Sequence, residues 1–268
     1  MIEGGPVFGE LVRAIKPYLS EVAFVGGWVH ALYILESDGS AHGVVRTADI
    51  DLSLPHELAS GTRDPLSELI ARAGFEIQAV DGAGEVIEIF RDSVDLDLLA
   101  EAPSERTPVE IVGQPDLRVS GYPHQDMLRE NARWIEVGPE IDPKMEPPES
   151  IRVPEVHVYS IGKLLSSARR TNDTKKAKDL VYLNGLLERE PLRALIEHSM
   201  PELIAAYPKE ARLAKTWMEQ VLNDQRIVEN VADQIITASG FEIEDPTPVR
   251  VQVTARFRRF LVETLQTP

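Results

Sequence analysis

The sequence contains no cysteine, and this absence excludes several kinds of site. Disulfide bonds, thiolate zinc sites and cysteine nucleophiles all require that residue. The six histidines are scattered, and no two of them have the helical spacing of a metal site. Any bound metal is therefore expected to be a hard cation held by carboxylate oxygens.

Long apolar stretches are also missing. No run of residues approaches the length needed to cross a bilayer, and the N-terminus lacks the basic and apolar segments of a signal peptide. We therefore expect a cytoplasmic protein with no membrane partner. The chain of 268 residues is long enough to bury a substantial core in one large or two modest domains.

Positive charge is scarce, with 28 Lys and Arg against 44 Asp and Glu and a formal net charge of −16. Proteins that bind nucleic acid broadly through phosphates usually have a basic surface, so such binding is not expected here. One dense basic segment remains in the second half of the chain. Its members are Lys163, Arg169, Arg170, Lys175, Lys176 and Lys178.

Hydrophobic spacing in the first half predicts strands interspersed with helices. Val22–Val25 is typical of a short buried strand, followed by a turn at Gly26–Gly27 and a helix at Trp28–Leu35. We also predict an opening helix shortened by Pro17, a strand at Ala48–Leu54, a helix from Pro65 to Gly74, strands at Phe75–Val80 and Glu85–Phe90 around a hairpin turn at Asp81–Gly84, and a strand at Val94–Leu99.

The second half predicts helices. Residues 138–154 are rich in proline and acid, which suggests a long surface connection between domains 1–137 and 155–268. Helices are predicted at Tyr159–Arg170, Thr174–Glu188, Leu192–Ala206, Lys209–Asn223, Arg226–Ser239 and Val249–Leu265. The expected fold class is α+β, with a mixed β-sheet flanked by helices followed by a mainly α-helical C-terminal domain.

Chemistry is concentrated around an Asp-x-Asp segment. Side chains alternate along a strand, so Asp49 and Asp51 point the same way while Ile50 and Leu52 face the core. Neighbouring carboxylates repel one another, and a Mg²⁺ ion between them removes that repulsion and supplies an electrophile. The preceding Gly26–Gly27 turn lets backbone N–H groups approach phosphate oxygens at the N-terminus of a helix.

A third carboxylate is expected from a neighbouring strand. Val94–Leu99 offers Asp95 and Asp97 on one face. We favour Asp97, which leads directly into Leu98 and Leu99, and keep Asp95 as the alternative.

The order of these features resembles the DNA polymerase β-like nucleotidyltransferase superfamily over about Phe24–Leu99. A glycine turn, a helix, Asp-x-Asp and a later strand carboxylate follow one another as in that superfamily. In the second half, a helix with Lys163 followed by one with Lys178 and Asp179 is similar to the abortive-infection toxin branch, which occurs in bacterial toxin–antitoxin systems. Many members have serine where this chain has Gly27, so a hydroxyl contact to phosphate is lost.

This resemblance implies transfer of a nucleoside monophosphate from an NTP such as ATP to an acceptor hydroxyl. It implies two Mg²⁺ ions, or Mn²⁺, held by Asp49, Asp51 and Asp97. The implied catalytic residues are Asp49, Asp51, Asp97, Lys163 and Asp179, and the implied nucleotide-binding residues are Gly26, Gly27, Arg46, Thr47 and Lys163. Asp97 would also help to deprotonate the acceptor, and Asp179 would lie at the rim of the nucleotide site.

Each feature also has a structural interpretation. A Gly-Gly pair alone is usually a turn, and two aspartates are common on the solvated face of an edge strand. Lys163, Ser167 and Arg170 share a helical face, which would also be expected if that face were exposed to solvent. Asp179 lies four residues after Lys175, which is the spacing of a surface ion pair. Trp28 and the histidines are expected to be packing or ordinary polar residues.

The acceptor stays open at this point. A tRNA 3′ end, a protein hydroxyl or a small molecule would each serve, and a toxin would have a cognate antitoxin as a partner. The acidic balance suits the antibiotic-modifying nucleotidyltransferases, whose acceptors are cationic drugs, whereas the basic segment favours the toxin-type reaction. A catalytically inactive nucleotide-binding or partner-binding module is the non-enzymatic alternative.

Overall fold

The structure is a computed structural model that describes residues 4–39, 49–79, 87–114, 117–240 and 244–266. Its helices are α1 Gly5–Ala14, α2 Gly27–Asp38, α3 Leu66–Arg72, α4 Gln125–Glu130, α5 Val156–Arg169, α6 Asp173–Glu188, α7 Glu190–Ala206, α8 Pro208–Asn223, α9 Gln225–Ser239 and α10 Thr247–Arg259. Its strands are β1 Ala23–Val25, β2 Ile50–Ser53, β3 Glu76–Ala79, β4 Ile87–Arg91, β5 Val94–Glu101, β6 Thr107–Glu110, β7 Arg118–Tyr122, β8 Ala132–Val137 and β9 Glu149–Pro154.

The chain divides into two compact units, one formed by Met1–Val29 with Arg46–Glu155 and the other by His30–Val45 with Val156–Pro268. The first contains the strands, and the second is helical in its described residues. The predicted class, a mixed sheet with helices followed by a mainly helical C-terminal region, is confirmed. The units are not contiguous in sequence, because α2 from His30 onward belongs with the helices that follow Glu155.

In the first unit, α1 ends before the proline that was expected to shorten it. Phe8, Leu11 and Val12 form its buried face, and Pro17 lies in a separate 3₁₀ turn at Lys16–Tyr18. Proline lacks the N–H that a continuing helix needs, which explains the break. Trp28 stacks on Phe8 with ring centroids 4.4 Å apart, so its expected packing role is confirmed.

The main sheet has the order β1-β2-β5-β4-β3, and β7 pairs with β5 and β6. β2 and β5 are parallel, whereas β1 and β4 run antiparallel to β2 and β5 respectively. Val94, Leu96 and Leu98 alternate with exposed residues along β5, which follows from the two-residue period of a strand. β2 lies between β1 and β5, so Asp51 does not belong to an edge strand.

Residues 138–154 do not form the long surface connection that their proline content suggested. Glu149–Pro154 is the strand β9, which pairs antiparallel with β8. Ile141 and Met145 are fully buried, and buried Asp142 forms an ion pair with Arg13 at 2.8 Å. The alternation of Ile151 and Val153 carries a strand signal that the prolines obscured.

The second unit confirms the six helices predicted beyond Glu155, with starts shifted by one to three residues. Asn172 and Asp224 cap α6 and α9 through side-chain oxygens that accept backbone N–H groups. α10 continues into a π-helical turn at Phe260–Thr264. Buried aliphatic residues on the facing sides of these helices form the core of this unit.

None of the described helices combines the length and the apolar character needed to span a membrane.

Candidate active site

Two of the predicted carboxylates lie side by side on adjacent parallel strands. Asp51 on β2 is the register partner of Asp97 on β5, and the flanking pairs are Ile50 with Leu96 and Leu52 with Leu98. Neighbouring strands lie about 4.8 Å apart and directly paired residues share a face, so both carboxylates project from one side of the sheet. Asp51 is half-buried and Asp97 is exposed, which leaves the pair accessible to a ligand.

The structure distinguishes the two alternatives for the third carboxylate by position. Asp95 is also exposed, but its register partner is Phe90 on β4. Asp97 is the residue that lies opposite Asp51. The position therefore favours Asp97 over Asp95 as the β5 carboxylate that acts together with Asp51.

The glycine turn contacts the same carboxylate. Gly26 follows β1, whose last residue Val25 is the register partner of Asp51. Its φ is +76°, in the left-handed region that favours glycine, and a Cβ added there would overlap the Asp51 carboxylate and lie 2.9 Å from the Asp51 Cβ. The backbone of Gly26 thus packs against Asp51, and buried Gly27 begins α2.

The predicted motif also includes Asp49, Arg46 and Thr47. Asp49 is half-buried and lies just before β2, two residues from Asp51. Arg46 and Thr47 lie outside the described residues. Across the described parts of the chain, no three His, Cys, Asp or Glu side chains form a group that could hold one metal ion. The structure therefore brings together Gly26, Asp51 and Asp97 and does not gather Asp49 with them into a preformed three-carboxylate site.

A pair of carboxylates nevertheless fits a magnesium ion. Mg²⁺ is usually held by one or two carboxylates together with waters and substrate phosphates, and dedicated all-protein cages are uncommon. Asp51 and Asp97 supply hard oxygen donors at paired positions, and their mutual repulsion is relieved by a cation. The donor set is therefore compatible with Mg²⁺ or Mn²⁺ that is completed by a triphosphate.

Lys163 and Asp179 pair with each other in the helical unit. The Lys163 Nζ lies 3.1 Å from Asp179 Oδ1, and both residues are buried between α5 and α6. Ser166 donates a hydrogen bond of 3.0 Å to Asp179 Oδ2, and Arg170 Nε lies 3.5 Å from the same oxygen. The alternatives of a solvated helical face and a surface pair with Lys175 are therefore wrong. Ser166 was missed, although it lies one helical turn after Lys163.

Aromatic rings complete this buried cluster. The Lys163 Nζ lies 5.2 Å from the ring centroid of Tyr159 and 4.9 Å from that of Tyr182. Such cation–π contacts stabilise an ammonium group that has left water. The charge of Lys163 is thus shared between a carboxylate and two rings, while the ammonium keeps further N–H donors.

His30 is a buried imidazole on α2 that packs beside the same tyrosine. Its ring centroid is 4.9 Å from that of Tyr182, and a Cβ added at Gly185 would lie 2.5 Å from its Nε2. Among the described residues neither ring nitrogen has a hydrogen-bond partner. Burial, and secondarily the positive charges of Arg189 and Lys163, lower the pKa of His30 to about 3. His30 is therefore neutral in the folded protein at ordinary pH.

This depressed pKa predicts that stability falls as the solution is acidified. The unfolded chain binds a proton at His30 near pH 6.5 and the folded protein only near pH 3. Between these values the unfolded state holds one more proton, so the free energy of unfolding decreases by up to about 1.4 kcal/mol per pH unit as the pH falls. Urea unfolding of wild type and His30→Leu between about pH 7 and 5 measures this contribution.

The difference in pH dependence between wild type and His30→Leu separates the contribution of His30 from those of the other titrating groups. His157, whose pKa is also lowered by burial, is present in both. His30→Leu is expected to remove part of the slope, and His198→Leu at an exposed histidine is expected to keep it. Equal slopes in wild type and His30→Leu would contradict the assignment.

Comparisons with known proteins add one structural similarity. No protein-family model and no curated protein matches the sequence. Among solved structures, the chain is similar to the crystal structure of an antigenic nucleotidyltransferase-like protein from Paracoccidioides brasiliensis. The identity is 14%, with 78% of this chain and 91% of that chain covered and a TM-score of 0.38. A similarity of this size does not transfer a function, so any functional conclusion depends on this chain's own residues.

Proposed function

We propose that this protein is a magnesium-dependent nucleotidyltransferase that moves a nucleoside monophosphate from an NTP to an acceptor hydroxyl. The observation that carries the proposal is the pairing of Asp51 with Asp97 on adjacent parallel strands, with the backbone of Gly26 packed against Asp51. Gly26, with φ of +76°, packs against Asp51 and leads into a helix of 12 residues, whose first backbone N–H groups are available to an anion. Carboxylates for a cation and N–H donors for phosphate are what a metal–triphosphate complex needs.

In the proposed reaction, Asp51 and Asp97 would hold the cation together with the triphosphate, and Asp49 would be a further ligand. The cation, when bound, would supply positive charge that stabilises the phosphate oxygens during in-line displacement. The N–H groups of Gly26 and Gly27 hold the β- and γ-phosphates. The acceptor oxygen forms a bond to the α-phosphorus, the bond from that phosphorus to the β-phosphate oxygen breaks, and pyrophosphate leaves. Asp97 accepts the proton of the acceptor hydroxyl.

The proposal extends to a toxin-type reaction with a tRNA 3′ end or a protein as acceptor and an antitoxin as partner. The basic segment around α5 and α6 supports a polyanionic acceptor. Lys163 is expected to contact phosphate through the N–H donors that Asp179 leaves unused. The same proposal includes two bound ions and ATP as the donor. It also assigns Arg46 and Thr47 as phosphate contacts.

A small-molecule acceptor is the second candidate. The net charge of −16 favours it, because an acidic surface attracts a cationic compound such as an aminoglycoside and repels RNA. Label that moves to a cationic drug and not to RNA or protein would select this alternative within the same chemistry.

The test is label transfer from each α-labelled NTP with Mg²⁺ to total tRNA, to the protein itself and to candidate small molecules. Wild type is expected to transfer label and release pyrophosphate, and Asp51→Asn is expected to lose activity by about a hundredfold or more because a metal ligand becomes neutral. Equal labelling by Asp51→Asn would overturn the proposed chemistry.

A further inference from the structure

An exposed tryptophan lies beside an arginine that forms no ion pair with a carboxylate of the described residues. Trp134 on β8 is 52% exposed, and it is the one aromatic side chain among the large hydrophobic residues exposed in the described parts of the chain. Its register partner on β9 is Arg152, so the two side chains share one face of this two-stranded sheet. An aromatic surface is therefore next to a guanidinium group.

The Arg152 guanidinium is fixed by backbone carbonyls. Nη1 donates to the Ser20 carbonyl at 3.3 Å and Nη2 to the Arg129 carbonyl at 2.8 Å. No described carboxylate forms an ion pair with it, although acidic residues outnumber basic ones in this chain. Partial burial and the nearby Arg129 lower the pKa of Arg152, which means that both disfavour its charged form. An anion bound here would stabilise that charged form.

Charged residues on either side of Trp134 and Arg152 determine where an anion could bind. Arg129 pairs with Asp126 at 2.6 Å, yet its buried Nε has no hydrogen-bond partner in the described structure. Glu136 shares the outward face of β8 two residues beyond Trp134 and disfavours an anion on that side. The cationic part of the surface is thus the Arg152 side of Trp134.

We propose that Trp134 and Arg152 form a binding site for single-stranded nucleic acid, in which a base stacks on Trp134 and a backbone phosphate contacts Arg152. Stacking accepts every base, and a guanidinium group matches a phosphate in geometry and charge. A planar aromatic surface beside a fixed guanidinium with no described carboxylate partner fits the alternating bases and phosphates of a nucleic-acid strand. The role in turnover rests on the proposed nucleotidyl transfer, because the strand bound here is its acceptor.

The position in the fold suits an acceptor strand. Arg152 contacts the carbonyl of Ser20, and Gly26 lies six positions after Ser20, with β1 between them. Six residues span at most about 20 Å. A nucleic-acid strand a few nucleotides long is therefore long enough to reach from Arg152 to the glycine turn.

Binding is tested without NTP, by fluorescence anisotropy with a labelled unstructured oligoribonucleotide of about 12 nucleotides and the corresponding DNA. Trp134→Ala is expected to weaken binding by about tenfold, and Trp134→Phe by only a few-fold, because phenylalanine still stacks. Arg152→Gln is expected to weaken binding and to reduce the salt dependence between about 50 and 200 mM by about one phosphate contact. Whichever oligonucleotide binds more tightly, the RNA or the DNA, identifies the type of nucleic-acid acceptor.

Two variants control for general effects. Val112→Ala removes another exposed hydrophobic side chain, and Arg118→Gln changes net charge equally at an arginine paired with Glu110. Both are expected to bind like wild type. Absence of binding by wild type, a Trp134→Ala affinity equal to that of wild type, or an Arg118→Gln loss equal to that of Arg152→Gln would overturn the site. Strand binding without label transfer would leave this site standing and defeat the proposed function instead.

Discussion

Replacement of Asp97 by Asn is expected to reduce nucleotidyl transfer by at least about a hundredfold, whereas Asp95→Asn should leave the rate within about twofold of wild type. Both residues are exposed aspartates on β5, and they lie two positions apart on the same face. They differ on the β2 side of the strand, because Asp97 is the register partner of Asp51, whereas Asp95 precedes Leu96, the first β5 residue that pairs with β2. Label-transfer rates at saturating Mg²⁺ and NTP measure the difference.

The pair of variants is matched in charge, strand and exposure, so general effects on folding or electrostatics cancel between them. Thermal unfolding of both should give similar midpoints. A loss of activity in Asp95→Asn equal to that in Asp97→Asn would show that the catalytic carboxylate is not defined by its position opposite Asp51.

Gly26→Ala is expected to reduce transfer by about a hundredfold with only a modest loss of stability. A left-handed φ of +76° costs an alanine about 1–2 kcal/mol, and the new Cβ would displace the Asp51 carboxylate by roughly 1 Å or more. Misplacement of that size is sufficient to lower a reaction rate about a hundredfold. Kinetics and urea unfolding of the same variant separate the two effects.

Gly61→Ala is the matched control, since Gly61 also has a positive φ, of +56°, but nothing lies within 4 Å of an added Cβ. It is expected to show the same backbone destabilisation and wild-type transfer. If Gly26→Ala and Gly61→Ala had equal activities, contact between Gly26 and Asp51 would have no role in the reaction.

The sequence was sufficient to predict the elements whose signal is local. The helices after Glu155, the strand before Gly26 and the alternation in Val94–Leu99 all follow from periodicity. The position of Asp97 could not be derived in the same way. Asp95 and Asp97 have the same periodicity, and only the register between β2 and β5, a long-range property, separates them.

Other features were hidden for physical reasons that the structure makes clear. The prolines near 147 concealed β9, and pairing with β8 is what makes Glu149–Pro154 a strand. The buried pair of Lys163 and Asp179 depends on how α5 packs against α6, which the charge pattern of either helix alone does not reveal. His30 was expected to be an ordinary packing or polar residue, and its surroundings come from helices far away in sequence.

Divalent-cation binding by Asp51 and Asp97 is tested most directly by a Mn²⁺ titration in the presence of a non-reactive NTP analogue, with free Mn²⁺ followed by electron paramagnetic resonance. Wild type and Asp95→Asn are expected to bind Mn²⁺ equally, and the double variant Asp51→Asn/Asp97→Asn is expected to bind it at least about tenfold more weakly. Mn²⁺ affinity in the double variant equal to that of wild type would contradict the account.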